Sequence, residues 1–278
     1  MLPFPLILKK APFFKRACSL SISLVIASTG STLFAQEMIP SNGLITSLKG
    51  SIIITDDSGK KLSFKSRESI SPSGTSWSTS EKTKGFLSLS NGVAIGIDAS
   101  TKISILDYQQ KPYDDKKQGF EFEPSASILK LRFESGKIAI ASNQLSPLSE
   151  LRIHLPIGSL RIHKGTSVIS YDNTGLHLLV VDGNLTYYYT DGKTREFVTQ
   201  GNRVSISKVS VKGQQLAELQ ELARVDPHTL RLATATQYSS RRVLYKANKA
   251  TGHPPEPVMV VRPEYFAQPE MRPYQFKD

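Results

Sequence analysis

Residues 128–207 read ILKLRFESGKIAIASNQLSPLSELRIHLPIGSLRIHKGTSVISYDNTGLHLLVVDGNLTYYYTDGKTREFVTQGNRVSIS. Apolar and polar residues alternate in short bursts, and single glycines or Asp-Gly pairs end each burst. Leu129, Leu131 and Phe133 precede Ser135-Gly136; Ile138 and Ile140 follow it. A period of two is the spacing of a strand with one covered face, because successive side chains leave a pleated backbone on opposite sides. Turn signals recur at the interval of an all-β sandwich, barrel or solenoid, and no helical period intervenes. Leu-Arg-Ile-His occurs at 151–154 and again at 160–163. In each copy Leu and Ile point one way and Arg and His the other, so successive strands bury equivalent residues. LHLLVV at 176–181 is almost continuous, as expected of a strand covered on both faces.

The strand signals extend back to residue 43. Asp56-Asp57-Ser58-Gly59 and Asn91-Gly92 read as hairpin turns, since Asp, Asn and Gly accept the positive φ that a tight turn needs. The polar stretch 71–81 reads as a loop or weak edge strand, and the charged stretch 109–125, with Pro and Gly, as a long exposed loop. Past residue 208 the pattern changes. Within a helical segment at 209–237, Leu216, Leu219, Leu222 and Ala223 share one helical stripe that ends at Asp226-Pro227. Residues 238–278 are basic and then proline-rich, the composition of a flexible tail.

The formal net charge is +11, and 39% of the 278 residues are hydrophobic, enough for a sizeable core. Lys9, Lys10, Lys15 and Arg16, the apolar run 17–35 and the small residue Ala35 form a secretory leader, residues 1–35. Without its four cations, 31 basic residues face 24 acidic ones, a balance of +7. These are spread along the chain with no basic helix or stripe, apart from Arg241, Arg242, Lys246 and Lys249 near the C-terminus. A solvated, mildly basic exported protein is expected, periplasmic or extracellular, and not a nucleic-acid binder. Cys18 is the only cysteine and lies inside the leader, so the mature chain has no disulfide and no Cys-based metal site. The leader holds several Ser and Thr, which makes it a poor permanent membrane span.

Catalytic constellations are hard to find. His154, His163 and His177 are the obvious metal-ligand candidates, but no carboxylate or Cys stands at ligand spacing beside them, so they read as solvated side chains. There is no Gly-x-Ser-x-Gly, and the serines of 71–80 have no base motif. Asp56-Asp57 and Asp114-Asp115 fit turns, not calcium loops. No glycine cluster opens a helix to cradle a phosphate. No cofactor and no catalytic residue is expected. Tyr187-Tyr188-Tyr189 is the candidate binding element, because alternation exposes part of the run and an exposed Tyr can stack on a sugar or a partner protein.

The order of these landmarks resembles the FecR family of iron-dicitrate-sensor-type periplasmic domains. The similarity spans residues 43 to 207: Gly43-x6-Gly50, FLSLSNGVAIGIDASTKISI (86–105), LRFESGKIAI (131–140), IHLPIGSLRIHKGTSVIS (153–170), LLVVDGNLTYY (178–188) and TQGNRVSI (199–206). Leu155-Pro156 and the insertion at 109–125 depart from the family pattern. The resemblance implies a β-solenoid or β-roll-like stack of short strands over residues 43–208. Gly136, Gly158, Gly165, Thr166, Gly183 and Gly201 would then be framework positions. Regulatory members carry a cytoplasmic anti-sigma segment and a membrane helix ahead of this domain. About sixteen residues precede the apolar run here, so that role is not carried over. The expectation is an exported, non-catalytic binding or scaffold protein that recognises an envelope protein or polymer. A carbohydrate-binding or polysaccharide-export accessory protein is the alternative, and a β-helix hydrolase a third.

Overall fold

The alternating runs form strands, and the computed structural model describes residues 37–113, 122–207, 217–221, 225–241, 243–247 and 253–260. The first strands are β1 (Ile39–Pro40), β2 (Gly43–Lys49), β3 (Ile52–Thr55), β4 (Lys61–Leu62), β5 (Ser69–Ile70), β6 (Thr75–Thr79), β7 (Lys84–Leu89), β8 (Ala94–Ile97) and β9 (Lys102–Gln110). Three long strands follow, β10 (Ser127–Ala141), β12 (Gly158–Tyr171) and β13 (Gly175–Tyr188), with β11 (Glu150–Leu155) between the first two. Then come β14 (Arg195–Thr199), β15 (Asn202–Ser207), β16 (Ala217–Glu221), the helix α1 (Pro227–Ser240), β17 (Val243–Lys246) and β18 (Glu256–Val260). The class is all-β with one helix, as expected.

Within that class the described strands are antiparallel neighbours apart from the parallel pair β10–β11, and not coils stacked in parallel. The two Leu-Arg-Ile-His phrases are the arms of a hairpin that places Leu151 opposite Ile162 and Ile153 opposite Leu160. Equivalent apolar residues are therefore buried together, as the echo implies, but across an antiparallel turn.

The long strands change partners midway. The first half of β10 pairs with β9 and β11, and its second half, from Gly136, with β8 and β12. β12 makes the same exchange about Gly165: β11 is its neighbour before the glycine and β10 after it. One sheet thus folds over into two arms. The first arm runs β4-β3-β6-β9-β10-β11-β12-β13-β14, the second β5-β2-β7-β8-β10-β12-β13-β15-β16. A single apolar core draws on both, with Trp77, Ile103, Leu131, Leu151 and Leu185 from the first arm and Ile45, Leu87, Ile95, Ile138 and Val204 from the second.

The fold-over needs close backbone approach. Gly165 and Gly183 face each other across β12 and β13, with φ of 112° and 77°. A Cβ on Gly183 would lie 1.9 Å from the Lys164 carbonyl oxygen, and one on Gly165 would lie 2.0 Å from that of Asp182. Both are backbone contacts that no rotamer change relieves, and both φ values suit glycine.

Three sequence expectations are revised. The stretch 71–81 contains β6, an interior strand between β3 and β9, whose Trp77 is buried and donates Nε1–H to Thr75 Oγ1 at 2.7 Å. Its many Ser and Thr hid one inward-facing indole flanked by two buried threonines. The helix lies further along than its stripe suggested, because residues 217–221 form β16 on the edge strand β15. Asp226-Pro227 starts α1 instead of ending it. The Asp226 carboxylate accepts from the backbone N–H groups of His228 and Thr229, each at 3.1 Å, and Pro227 occupies the first turn, where its missing N–H costs nothing. The remainder of 209–224 lies outside the described residues. The tail, finally, is ordered at its start: α1 reaches Ser240 and β17–β18 form a hairpin. Residues 261–278 lie outside the described residues.

These C-terminal elements cover the outer face of the second arm. Leu232 and Ala233 of α1 pack on Ala139, Val168 and Leu179, with Phe86 at the margin. Gly96 lets the helix approach, since a Cβ there would stand 2.1 Å from Thr236 Oγ1. Ser88 Oγ donates to the Ser239 carbonyl at 2.7 Å. Lys84 Nζ lies 2.6 Å from His228 Nε2, and His228 Nδ1 lies 3.5 Å from the buried Asp98 carboxylate. From the hairpin, Val243 and Tyr245 bury against Leu44, and Tyr245 Oη donates to the Ser88 carbonyl at 2.6 Å.

Candidate binding surface

The outer face of the first arm carries no such cover among the described residues. The period of two that sends Leu129, Leu131, Leu151, Ile153, Leu160 and Ile162 into the core sends Lys130, Arg132, Arg152, His154, Arg161 and His163 outward. Register then aligns them. Asp107, Lys130, Arg152, Arg161, Thr186 and Phe197 are successive cross-strand partners from β9 to β14. Beside that row lies a second: Ser104, Arg132, His154, Ser159, Tyr188 and Arg195. With neighbouring strands about 4.8 Å apart, each row crosses roughly 24 Å of sheet.

Three cations on three adjacent strands, Lys130, Arg152 and Arg161, therefore stand directly opposite one another. Like charges in that position destabilise a sheet. Lys130 has Asp107 at 3.5 Å and Arg152 has Glu150 at 2.9 Å, both half-exposed pairs that solvent weakens. Among the described residues neither Arg132 nor Arg161 makes an ion pair.

The histidines feel this field. Partial burial lowers the pKa of His154, and Arg152, Arg132 and Lys130 lower it further, with Glu150 opposing. Burial also lowers that of His163, with Arg161 adding to the effect. His163 Nε2 lies 2.9 Å from Thr186 Oγ1, and its ring is 6.2 Å from that of Phe197 at an angle of 52°. Phe197 is 62% exposed, a large apolar side chain left in water at the end of a charged row.

The expected binding element divides. Tyr187 is a core residue with no exposed surface, and its hydroxyl donates to the Ile157 carbonyl. As the residue between outward-facing Thr186 and Tyr188 it must point inward, which removes it from the candidate site. Tyr188 is half-buried on the outer face, in the second row. Tyr189 is partly buried against the core, edge-on to Tyr187 with ring centroids 4.8 Å apart. The framework glycines Gly136, Gly158, Gly165, Gly183 and Gly201 all have positive φ, and Thr166 Oγ1 donates to Asn143 Oδ1 at 3.0 Å.

The three histidines do not converge. His154 and His163 lie on the first arm's outer face. His177 lies on the second arm between Thr174 Oγ1 at 2.8 Å and Ser205 Oγ at 2.9 Å. Among the described residues no three His, Cys, Asp or Glu side chains gather in a metal-binding group. Asp56 Oδ1 accepts from the N–H groups of Ser58 and Lys60, which makes it a turn residue; Asp114-Asp115 lies outside the described residues.

Sequence reasoning missed two features. The cationic rows were invisible because their members come from different strands and meet only through register; the alternating Arg and His of the echoed phrases were the available signal. The other is a buried polar seam at the ends of the 109–125 stretch, which was expected to be wholly exposed. Glu123 is buried, and its carboxylate accepts from Ser127 Oγ and Ser149 Oγ at 2.5 Å each and from the Ser146 N–H at 2.7 Å. Burial raises its pKa against these hydrogen bonds. The Gln110 side-chain oxygen Oε1 accepts from Ser90 Oγ at 2.8 Å, and Ser90 Oγ lies 2.7 Å from the hydroxyl of the buried Tyr108. The seam ties loop to core.

No family model matches the chain, and no curated protein matches it. Among solved structures the chain is similar to two crystal structures described as a putative anti-sigma factor from Parabacteroides distasonis ATCC 8503, at 1.65 and 2.50 Å resolution. The first match has 9% identity and a TM-score of 0.38, and covers 59% of this chain and 74% of the other. The second has 11% identity and a TM-score of 0.39, and covers 67% of this chain and 98% of the other. Among the described residues no helix is long and apolar enough to cross a membrane.

Proposed function

We propose that this chain is an exported, non-catalytic binding protein of the bacterial envelope, and that the open outer face of its first arm recognises an anionic envelope polymer or acidic protein. One observation carries the reading: Lys130, Arg152 and Arg161 face one another across adjacent strands, although like charges so placed cost stability. A bound anion removes that cost. The contrast between the two outer faces supports the same reading, since a helix and a hairpin cover one, while none of the described residues covers the charged one. Export rests on the leader at residues 1–35, and mass spectrometry of the mature protein should find Gln36 at its N-terminus.

Retention on sulfated-dextran beads, with uncharged dextran as control, tests the surface. Wild-type protein should bind the charged beads and elute with salt, and the double variant Arg152→Glu, Arg161→Glu should elute at clearly lower salt. Equal elution of the two, or no retention of the wild type, overturns the proposal.

A further inference from the structure

We infer that the anion read by this face is a carboxylated polysaccharide lying across the strands, with its carboxylates on Arg132 and Arg161 and a sugar ring on Phe197 and Tyr188. The inference rests on the cationic-face reading above and adds the ligand class to it.

The arrangement of the face points away from a protein partner. Protein interfaces gather aromatic anchors, with arginine among them, in a dry centre. Here the centre has arginine without the aromatic anchors. The centre of the two rows holds Lys130, Arg132, Arg152 and Arg161, and the aromatic side chains stand at one end, on β13 and β14. A hydrated, flexible polyanion needs no dry apolar centre, whereas its carboxylates need cations at short intervals.

The direction of the rows points the same way. An extended acidic peptide would bind by adding a strand to a sheet edge, parallel to the existing strands, with same-side carboxylates about 6.8 Å apart. The cations instead follow one another across the strands, Lys130 and Arg132 on β10, Arg152 on β11 and Arg161 on β12. Lys130 and Arg152 are already engaged by Asp107 and Glu150, which leaves Arg132 and Arg161, two strands apart and in different rows, to receive carboxylates from non-adjacent sugars of one chain.

The uncharged positions suit sugars as well. Ser104, Ser159 and His154 lie in the second row with Arg132 and Tyr188, and offer hydroxyl and imidazole partners to ring hydroxyls. Phe197, 62% exposed and braced by His163, presents a planar apolar surface to the C–H face of a pyranose. The face is sheet, not cleft, so a polymer can pass over it without ending there.

Calorimetric titration with oligogalacturonate, with poly-glutamate of matched charge and with a neutral galactan separates the possibilities. Wild-type protein should bind oligogalacturonate about tenfold more tightly than poly-glutamate, a difference of about 1.4 kcal/mol. It should not bind the galactan. Phe197→Ala with Tyr188→Ala should weaken uronate binding about tenfold and leave poly-glutamate binding unchanged. Arg132→Glu with Arg161→Glu should abolish both. All four positions are exposed or half-exposed, and Phe197→Ala alone supplies a milder variant whose melting curve should match wild type. Equal affinity for the two polyanions with no effect of the aromatic substitutions overturns the polysaccharide and leaves the cationic face standing. Charge reversal without effect on either ligand overturns the face itself, and failure of the wild type to bind uronate overturns the inference.

Discussion

If the cationic row is kept for an anionic ligand, relieving it should stabilise the free protein while it weakens binding. Arg161→Gln is the cleanest perturbation, because Arg161 faces Arg152 directly and, among the described residues, has no ion pair to lose. Glutamine keeps much of the length and hydrogen-bonding capacity without adding a β-branched carbon. Two unit charges about 5 Å apart repel by about 0.8 kcal/mol in a solvent-like dielectric. Side-chain splay and screening at ordinary ionic strength reduce this to roughly 0.5 kcal/mol, within the range for cross-strand pairs. For a chain of this size that corresponds to a rise of about 1–2 °C in Tm. Thermal unfolding followed by circular dichroism should show the rise at low salt. In about 1 M salt, where the Debye length is near 3 Å, it should vanish. The same variant should elute earlier from sulfated dextran. A fall in Tm, or a rise of equal size at both salt concentrations, refutes the like-charge argument, since Arg161 would then contribute through packing or through a partner of its own.

Three further outcomes follow from named contacts. Gly183→Ala should cost about 3 kcal/mol or more, because the added Cβ meets the Lys164 carbonyl at 1.9 Å on a backbone with φ of 77°; a urea midpoint near wild type would show that the fold-over relaxes freely. Tyr187→Phe should cost about 1–2 kcal/mol by leaving the Ile157 carbonyl without its donor, whereas Tyr188→Phe should stay within about 0.5 kcal/mol; equal urea midpoints would contradict the inward placement of Tyr187. Acidification should weaken the fold through the histidines. The folded-state pKa values of His154, His163 and His177 are all lowered, chiefly by burial, so the unfolded chain binds protons first as pH falls. Their contribution is intact above the ordinary histidine pKa of about 6.5 and declines as pH drops from there through the lowered values. Urea midpoints between pH 7 and pH 5 should fall, and His154→Gln should make the decline shallower. An unchanged slope would remove His154 from the linkage.

Much of the fold is legible in the sequence, because strand alternation and turn chemistry are local. The hairpins at Asp56–Gly59 and Asn91-Gly92 form as their residues require: the Gly92 N–H donates to the Leu89 carbonyl at 3.0 Å, and Asp56 closes its own turn. Misreadings occur where a local signal has two meanings. Asp-Pro can follow a helix or open one, and the choice depends on whether the Asp carboxylate finds backbone donors ahead of it, as Asp226 does. The Leu216–Leu222 stripe has helical spacing, but β15 offers an unpaired edge, and residues 217–221 complete its ladder. Trp77 is hidden among serines for a related reason: in an interior strand, one inward indole can fill the space of several aliphatic residues.

The binding face illustrates a stricter limit. Arg152 and Arg161 are nine residues apart, with Leu-Pro-Ile-Gly-Ser between the phrases that hold them, and nothing local says whether a parallel coil or a hairpin connects them. Either connection would bury the leucines and isoleucines, so the core is insensitive to the choice. The outer face is not. A coil would pair Arg152 with Arg161 and His154 with His163, in two uniform ladders. The hairpin pairs Arg152 with Arg161 but places His154 opposite Ser159 and moves His163 past a bulge to Thr186 and Phe197. Charge is thereby concentrated in the middle of the face, and an imidazole braces an aromatic ring at its end. Register, set by the turn at Pro156–Gly158 and the bulge beside Gly165, determines what this surface can bind, and substitutions that shift it should change ligand recognition while leaving the core residues buried.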